Sequence, residues 1–221
     1  MPYPPTLSGL AWASLILACA CAGFIVIDIA RGHRQSMRIM EIPWPVTGLF
    51  MGPIGLVFYL WFGRARSSGD QRSRRPRWQS VFVSASHCGG GCTPGDILAE
   101  ETLHLSGWRL AGGMLPSSYL ADFGCAYRLG IWFQYLPIRA ARDLKVRQAL
   151  AAAIKAATLL LLAFEAGLFA WMALTRAVWF PRLHANDPVF WFLMQIGMCV
   201  GFVTTYPANW WLVRHGIKEG M

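Results

Sequence analysis

Long apolar runs separated by short polar segments make up most of the chain. A helix needs about 20 mostly apolar residues to cross the roughly 30 Å hydrocarbon core of a bilayer, so each run of that length predicts a transmembrane helix. The candidate runs are Leu7–Ala30, Trp44–Phe62, Pro94–Leu115, Ser117–Ile138, Ala151–Leu174 and Pro188–Val213. The pattern predicts an all-α fold, a single polytopic membrane helical bundle over residues 1–221 with about six transmembrane helices.

Two of these runs are less apolar than the others. The run Ser117–Ile138 is interrupted by Asp122, Arg128 and Gln134. The run Pro94–Leu115 is the weakest, because it carries Asp96, Glu100, Glu101, His104 and Arg109. An alternative therefore has five crossings, with Pro94–Leu115 as a re-entrant or interfacial helix.

Basic residues between the runs predict the orientation, because loops rich in Lys and Arg stay in the cytoplasm. Residues 63–80 carry six Arg against Asp70 and are expected to form a basic cytoplasmic loop. Residues 139–147 and the segment after Val213 are also basic. An even number of crossings must separate the first two of these loops, so Pro94–Leu115 counts as one. Both termini are then expected in the cytoplasm, in a multi-pass protein of the cell (inner) membrane.

One loop opposes this orientation. The segment 32–43 would face outside, although it contains Arg34 and Arg38 and follows Arg31. The six Arg of residues 63–80 outweigh these three, so the orientation follows the larger group.

The composition excludes a soluble domain of ordinary make-up. Hydrophobic residues account for 55% of the chain and charged residues for 14%, against about 25% charged residues in soluble domains. The mean hydropathy is +0.40. The net charge of +9 comes from loops between apolar runs rather than from one folded face, which argues against nucleic-acid binding. The expected partners are the lipid bilayer and, for an assembly role, another membrane protein.

A His/Cys/Gly-rich segment, residues 84–96, carries the first candidate chemistry. Thr93 followed by Pro94 is typical of a helix start, so the preceding residues are expected to form a loop. His87, Cys88 and Cys92 in that loop could bind a soft or borderline ion such as copper or zinc. Two alternatives remain open: spectator thiols on a flexible loop, or a disulfide if the loop faces outside.

Ionisable residues within the runs form the second candidate site. Asp96, Glu100 and His104 recur every four residues and share one helix face, with Glu101 beside them. Glu165 and Arg128 fall near the middle of other runs. Such groups are costly in a membrane and commonly mark a functional pathway. The alternatives are a proton or cation pathway and a structural ion pair, such as Arg128 with Glu101 or Glu165.

Several motifs, in order along the chain, resemble a family of bacterial and archaeal membrane proteins known as domain of unknown function 4396. They are Trp44–Thr47 through Gly52–Gly55 and Tyr59, the Ser86–Asp96 segment, Gly130–Tyr135, and Phe190–Gln195 through Tyr206–Trp211 to Glu219. The resemblance covers roughly residues 40–221 and implies a multi-span membrane protein with no established activity. Some relatives are copper-oxidase-associated, which favours the copper interpretation modestly. Glu101, His104, Arg128 and Glu165 depart from the family pattern.

Together these observations predict a membrane protein that binds or moves a soft metal ion. His87, Cys88 and Cys92 would be the ligands, and Asp96 with Glu100 an inner relay. The alternatives are a non-catalytic assembly subunit and a proton-coupled carrier whose relay adds Glu101, His104 and Glu165. The sequence contains no nucleophile–base pair and no cofactor fingerprint that would favour an enzyme.

Overall fold

The computed structural model describes residues 3–35, 38–64, 76–108, 114–142, 145–181 and 183–215. Within these ranges the fold is all-α, as predicted, and contains no strand. The helices are α1 (Pro5–Ala30), a 3₁₀ turn (Arg38–Glu41), α2 (Pro43–Met51), α3 (Pro53–Phe58) with a π-helical turn (Tyr59–Gly63), α4 (Arg77–Ser106), α5 (Met114–Arg142), α6 (Val146–Val178) and α7 (Pro188–Arg214). Residues 65–75, most of the predicted basic loop 63–80, lie outside the described residues, as does Arg109.

Three of these helices, α1, α6 and α7, are long and apolar enough to cross a membrane. α4 and α5 have similar lengths, 30 and 29 residues, but charged side chains lower the hydropathy of both. The expectation of six helices of this kind is therefore not supported by the described residues.

The apolar run Trp44–Phe62, expected to be one crossing, folds into a helical hairpin instead. α2 and α3 meet at Gly52, whose φ of 57° lies in the left-handed region that favours glycine. The Trp44 ring packs edge-on against Tyr59 and Phe62, with ring centroids 5.6 and 6.2 Å away. The two ends of the run therefore lie at the same end of the bundle.

The base of this hairpin is attached to α1 through Asp28. The Asp28 carboxylate accepts hydrogen bonds from the Tyr59 hydroxyl at 2.8 Å and from Arg64 Nη2 and Nε at 2.7 and 2.9 Å. The two hydrogen bonds from Arg64 to Asp28 raise the pKa of the Arg64 guanidinium above its usual value. At the tip, the Leu49 carbonyl accepts a hydrogen bond from the Gln195 amide at 2.8 Å. The hairpin therefore reaches from one end of the bundle into the interior.

The prediction of a loop over residues 84–96 is wrong, because this segment is the middle of α4. Its glycines serve helix packing rather than a turn. A Cβ at Gly90 would lie 2.5 Å from the α2 backbone, and one at Gly95 would lie 2.6 Å from the backbone nitrogen of Ala126 on α5. Small residues allow helix backbones to approach this closely in membrane proteins. As a result α4 is surrounded by α2, α5, α6 and α7.

The first and last described residues lie at opposite ends of the bundle. The Tyr3 ring packs against Phe180, just after α6, with centroids 5.4 Å apart. Near the end of α7, the Tyr206 hydroxyl donates a hydrogen bond to the Trp78 carbonyl at the start of α4. α7 has 27 residues, about 40 Å at 1.5 Å per residue, and separates the two ends.

Candidate functional site

A stripe of polar side chains follows one face of α4. Cys88, Cys92, Asp96 and Glu100 recur every four residues and are exposed by 4, 1, 0 and 7%. At 1.5 Å per residue the stripe is about 18 Å long. It faces α5 and α6, since Asp96 interacts with Glu165 on α6 and Glu100 interacts with Asp122 on α5. The stripe therefore combines two residues of the predicted metal site, Cys88 and Cys92, with two of the predicted relay, Asp96 and Glu100.

The centre of the site is a pair of carboxyl groups, Asp96 on α4 and Glu165 on α6. Both are buried, with exposures of 0 and 2%, and they are close enough to interact directly. None of their four oxygens accepts a hydrogen bond from the described residues. Burying an unpaired carboxylate costs several kcal/mol, so this pair is energetically expensive.

A second pair of acids lies one turn further along α4. The Glu100 carboxyl interacts with Asp122 and Ser118, both on α5. Asp122 is 2% exposed. Glu100 and Asp122 line a cavity of about 10 Å³ together with Arg176, close to the smallest volume that holds one water molecule.

Arg176, near the end of α6, is the basic residue beside the second pair of acids, Glu100 and Asp122. Its side chain is nearly buried and its Cζ lies 5.8 Å from the centre of the Phe190 ring. The guanidinium acts electrostatically on Glu100 and Asp122. In the described part of the chain, however, no carboxylate lies within ion-pair distance of it.

A polar vestibule of about 390 Å³ connects this site to one end of the bundle. It lies between the end of α4, the start of α5 and the α6–α7 connection, and Glu100 lines its inner wall. His104, His184 and Ser117 also line it. Glu100 thus faces both the vestibule and the small inner cavity.

The predicted soft-metal ligands do not converge. All three are buried in α4, and the His87 Nε2 donates a hydrogen bond to the Phe133 carbonyl at 3.1 Å. The Cys88 and Cys92 thiols are neighbours on the next face, near Glu165; no disulfide joins them. The described residues hold no group of three or more His, Cys, Asp or Glu suited to a metal ion. The copper or zinc site remains a prediction that this arrangement does not support.

The predicted relay is partly brought together. Asp96 interacts with both Glu165 and Glu100. His104, in contrast, is exposed at the vestibule, and Glu101 lines a different cavity on another side of α4. The alternative of an ion pair between Arg128 and Glu101 or Glu165 is wrong. Arg128 is exposed, and no described ion pair includes it.

Sequence reasoning missed the roles of Asp122 and Arg176. The signal for Asp122 was present, because it is an acid within an apolar run. Arg176 lies just beyond the apolar run Ala151–Leu174, where a basic residue is ordinarily assigned to a loop. Asp28 is likewise an acid within an apolar run, close to the end of the first one, and its role was also missed.

The fold and the site define an all-α protein with three helices able to span a membrane and a cluster of buried acids between α4, α5 and α6. The family model described as Domain of unknown function (DUF4396) matches residues 77–218, and the chain belongs to this family. The matched region includes α4 to α7 and therefore the whole acidic site, whereas α1 and the hairpin precede it. No curated protein and no solved structure gives a significant match.

Replacing Arg176 with Met is expected to lower the free energy of unfolding by about 1–3 kcal/mol, because it removes the positive charge beside two buried acids. The matched change Arg77→Met at the exposed start of α4 should alter stability by less than about 0.5 kcal/mol. Thermal unfolding of the detergent-purified variants measures both. An equal loss in the two variants would contradict the assignment of Arg176 to the site.

Proposed function

We propose that the chain is an integral membrane protein with five crossings, made by α1, α4, α5, α6 and α7. α4 and α5 are long enough to cross at about 1.5 Å per residue. Their acids Asp96, Glu100 and Asp122 are buried in the bundle interior, whereas Arg128 lies on the exposed face of α5. The hairpin of α2 and α3 is re-entrant, since it begins and ends at one end of the bundle. Non-helical backbone at its tip is tolerated because it is buried in protein.

The distribution of basic residues supports one orientation of this bundle. The end that holds the hairpin base, the start of α4 and the end of α7 also holds most of the described basic side chains: Arg31, Arg34, Arg38, Arg64, Arg77, Arg139, Lys145, Arg147 and Arg214. Positive charge favours the cytoplasm for this end. The five-crossing topology removes the conflict over residues 32–43, because their arginines then lie inside. The N-terminus lies outside and the C-terminus inside.

Within the bundle we propose that the acidic site transfers protons, as part of a proton-coupled carrier. The observation that carries the proposal is the Asp96–Glu165 pair, buried with no hydrogen-bond partner among the described residues. Two facing carboxylates in a water-poor site cannot both be ionised at low cost. A proton held between them removes one charge and lets the remaining carboxylate accept a hydrogen bond.

Polar groups on either side of the pair give this proton a route. Toward the outside, Glu100 and Asp122 lie one turn away and Glu100 lines the vestibule. Toward the cytoplasm, buried polar groups continue along α4 through His87 to Ser84, whose hydroxyl donates to the Asn209 side chain at 3.3 Å. Intramembrane acids that line such a route commonly serve as proton relays.

A structural ion pair explains the buried acids less well. An ion pair would place a Lys or Arg within about 4 Å of a carboxylate to repay the desolvation of both charges. Among the described residues the ion pairs are those of Asp28 and Glu41 near the hairpin base, and none of them includes Asp96, Glu100, Asp122 or Glu165. The charge of the Asp96–Glu165 pair is therefore balanced by a proton in this account.

The five-crossing topology predicts that the two termini are on opposite sides of the membrane. Single cysteines introduced after Met1 and before Met221, in a chain whose native cysteines are replaced by serine, can be labelled in intact cells. A membrane-impermeant maleimide should label the N-terminal cysteine and reach the C-terminal one only after permeabilisation. Labelling of both from the same side would contradict the re-entrant hairpin.

The relay predicts that Glu165→Gln and Asp96→Asn each lower proton flux by about tenfold or more, because neither amide can release a proton. The measurement is acidification of proteoliposomes that contain a pH-sensitive dye, under an imposed membrane potential. Glu41→Gln is the matched control, since Glu41 lies outside the bundle interior and pairs with Arg34. Unchanged flux in both site variants, with normal folding, would contradict the proposal.

A further inference from the structure

A second cavity lies on the other side of α4, away from the acidic site. It has a volume of about 250 Å³ and lies between α1, the hairpin tip, α4 and α7. Its walls are mostly apolar, with Leu15, Phe50, Ile97, Trp191, Met194 and Met198. None of the proposed proton-transfer residues lines it. An engineered cavity of about 150 Å³ with apolar walls can hold a benzene molecule, so this one can hold an aromatic ligand with a substituent.

Glu101 is the charged residue of this cavity. It precedes the end of α4 by one turn and lines the wall beside Ile97. Within the described ranges no Lys or Arg lies within ion-pair distance of its carboxylate. Since Glu101 lines an otherwise mostly apolar cavity, a cation bound in the cavity would offset the cost of its negative charge.

The other polar side chains of the cavity differ in whether they already make hydrogen bonds within the protein. Gln195 is used: its amide donates to the Leu49 carbonyl at 2.8 Å and its carbonyl oxygen accepts from the Ser14 hydroxyl at 3.0 Å. Thr93 is available, because its hydroxyl is completely buried, lines the cavity and has no hydrogen-bond partner among the described residues. The cavity therefore offers one anion and one free hydroxyl in apolar surroundings.

We propose that this cavity binds a lipophilic monovalent cation, an amine or quaternary ammonium compound that enters from the bilayer. Its positive charge would pair with Glu101, and its apolar part would lie against Met194 and Met198. The indole of Trp191 adds a face on which a cationic group is attracted by the ring quadrupole. The flexible thioethers suit ligands of varied shape.

The two cavities share α4, which links the cation to the proton. Glu101 and Glu100 are consecutive residues, and the Glu101 carboxylate acts electrostatically on Glu100 across the helix. A cation bound to Glu101 cancels that negative charge and makes loss of the Glu100 proton easier. The carrier would then exchange a lipophilic cation for protons. This exchange rests on the proposed function, whereas binding of the cation does not.

The test is saturable binding of radiolabelled benzyltrimethylammonium to the protein in lipid nanodiscs. Glu101→Gln should weaken binding by about tenfold or more, because it removes the partner of the buried charge. Met198→Trp should abolish binding by filling the cavity. Val203→Trp is its matched control, since Val203 is 67% exposed on the same helix, α7, and a larger side chain there leaves the cavity open.

Two results would overturn the inference. One is binding unaffected by Glu101→Gln and Met198→Trp in folded protein. The other is equal displacement of the label by neopentylbenzene, the uncharged carbon isostere, which would show that the charge is not recognised. Glu165→Gln separates the two proposals, because it should retain binding even though proton flux is lost. Binding lost in Glu165→Gln and kept in Glu101→Gln would place the ligand in the acidic site and also overturn the inference.

Discussion

The close approach of α4 to its neighbours is the constraint on which the other features depend. A methyl group at Gly90 or Gly95 would fall within about 2.6 Å of backbone atoms on α2 and α5. Lipid tails are as apolar as the helix surfaces, so helices in a membrane associate largely through such close packing. Only with helices this close do the stripe of α4 and Glu165 of α6 share one interior space. Gly90 packs on Pro43, the first residue of α2, and so holds the hairpin against α4, while Leu49 and Phe50 near the hairpin tip line the second cavity with Ile97.

The energetic consequence is a bundle interior that holds several acids and few bases. Asp96, Glu100, Asp122 and Glu165 are buried, and Arg176 is the base nearest to them in the described chain. An arrangement selected for stability alone would pair these groups or replace them with apolar residues, often without loss of stability. Mobile cations, namely protons at the acidic site and a lipophilic cation at Glu101, balance this excess in our account. α4 then separates the two ions by the thickness of one helix.

The sequence predicted part of this fold. The helical class follows from apolar runs, and the runs Ala151–Leu174 and Pro188–Val213 lie within α6 and α7. The hairpin could not be found from hydropathy, because about 20 apolar residues can cross a bilayer or enter and return. The one local signal was Gly52 followed by Pro53, which breaks the run in its middle.

The α4 segment shows a different limit. Thr93 and Pro94 have the residue types of a helix start, yet the helix begins at Arg77. Local preference was overruled by tertiary packing, since the preceding glycines fit against neighbouring backbones. The acids Asp96, Glu100 and Glu165 were recognised from their depth. Their partners Asp122 and Arg176 could not be placed in the same site, because the residue spacing within one helix does not show which residues contact another helix.

The proton held between Asp96 and Glu165 can be observed by infrared difference spectroscopy, because a protonated carboxyl group has a C=O stretching band that a carboxylate lacks. We expect such a band in the protein at neutral pH, in a membrane, and its loss or shift in Asp96→Asn and Glu165→Gln but not in Glu41→Gln. A spectrum without a protonated-carboxyl band at neutral pH, or one that these two changes leave unaltered, would show that the two carboxyl groups do not share a proton.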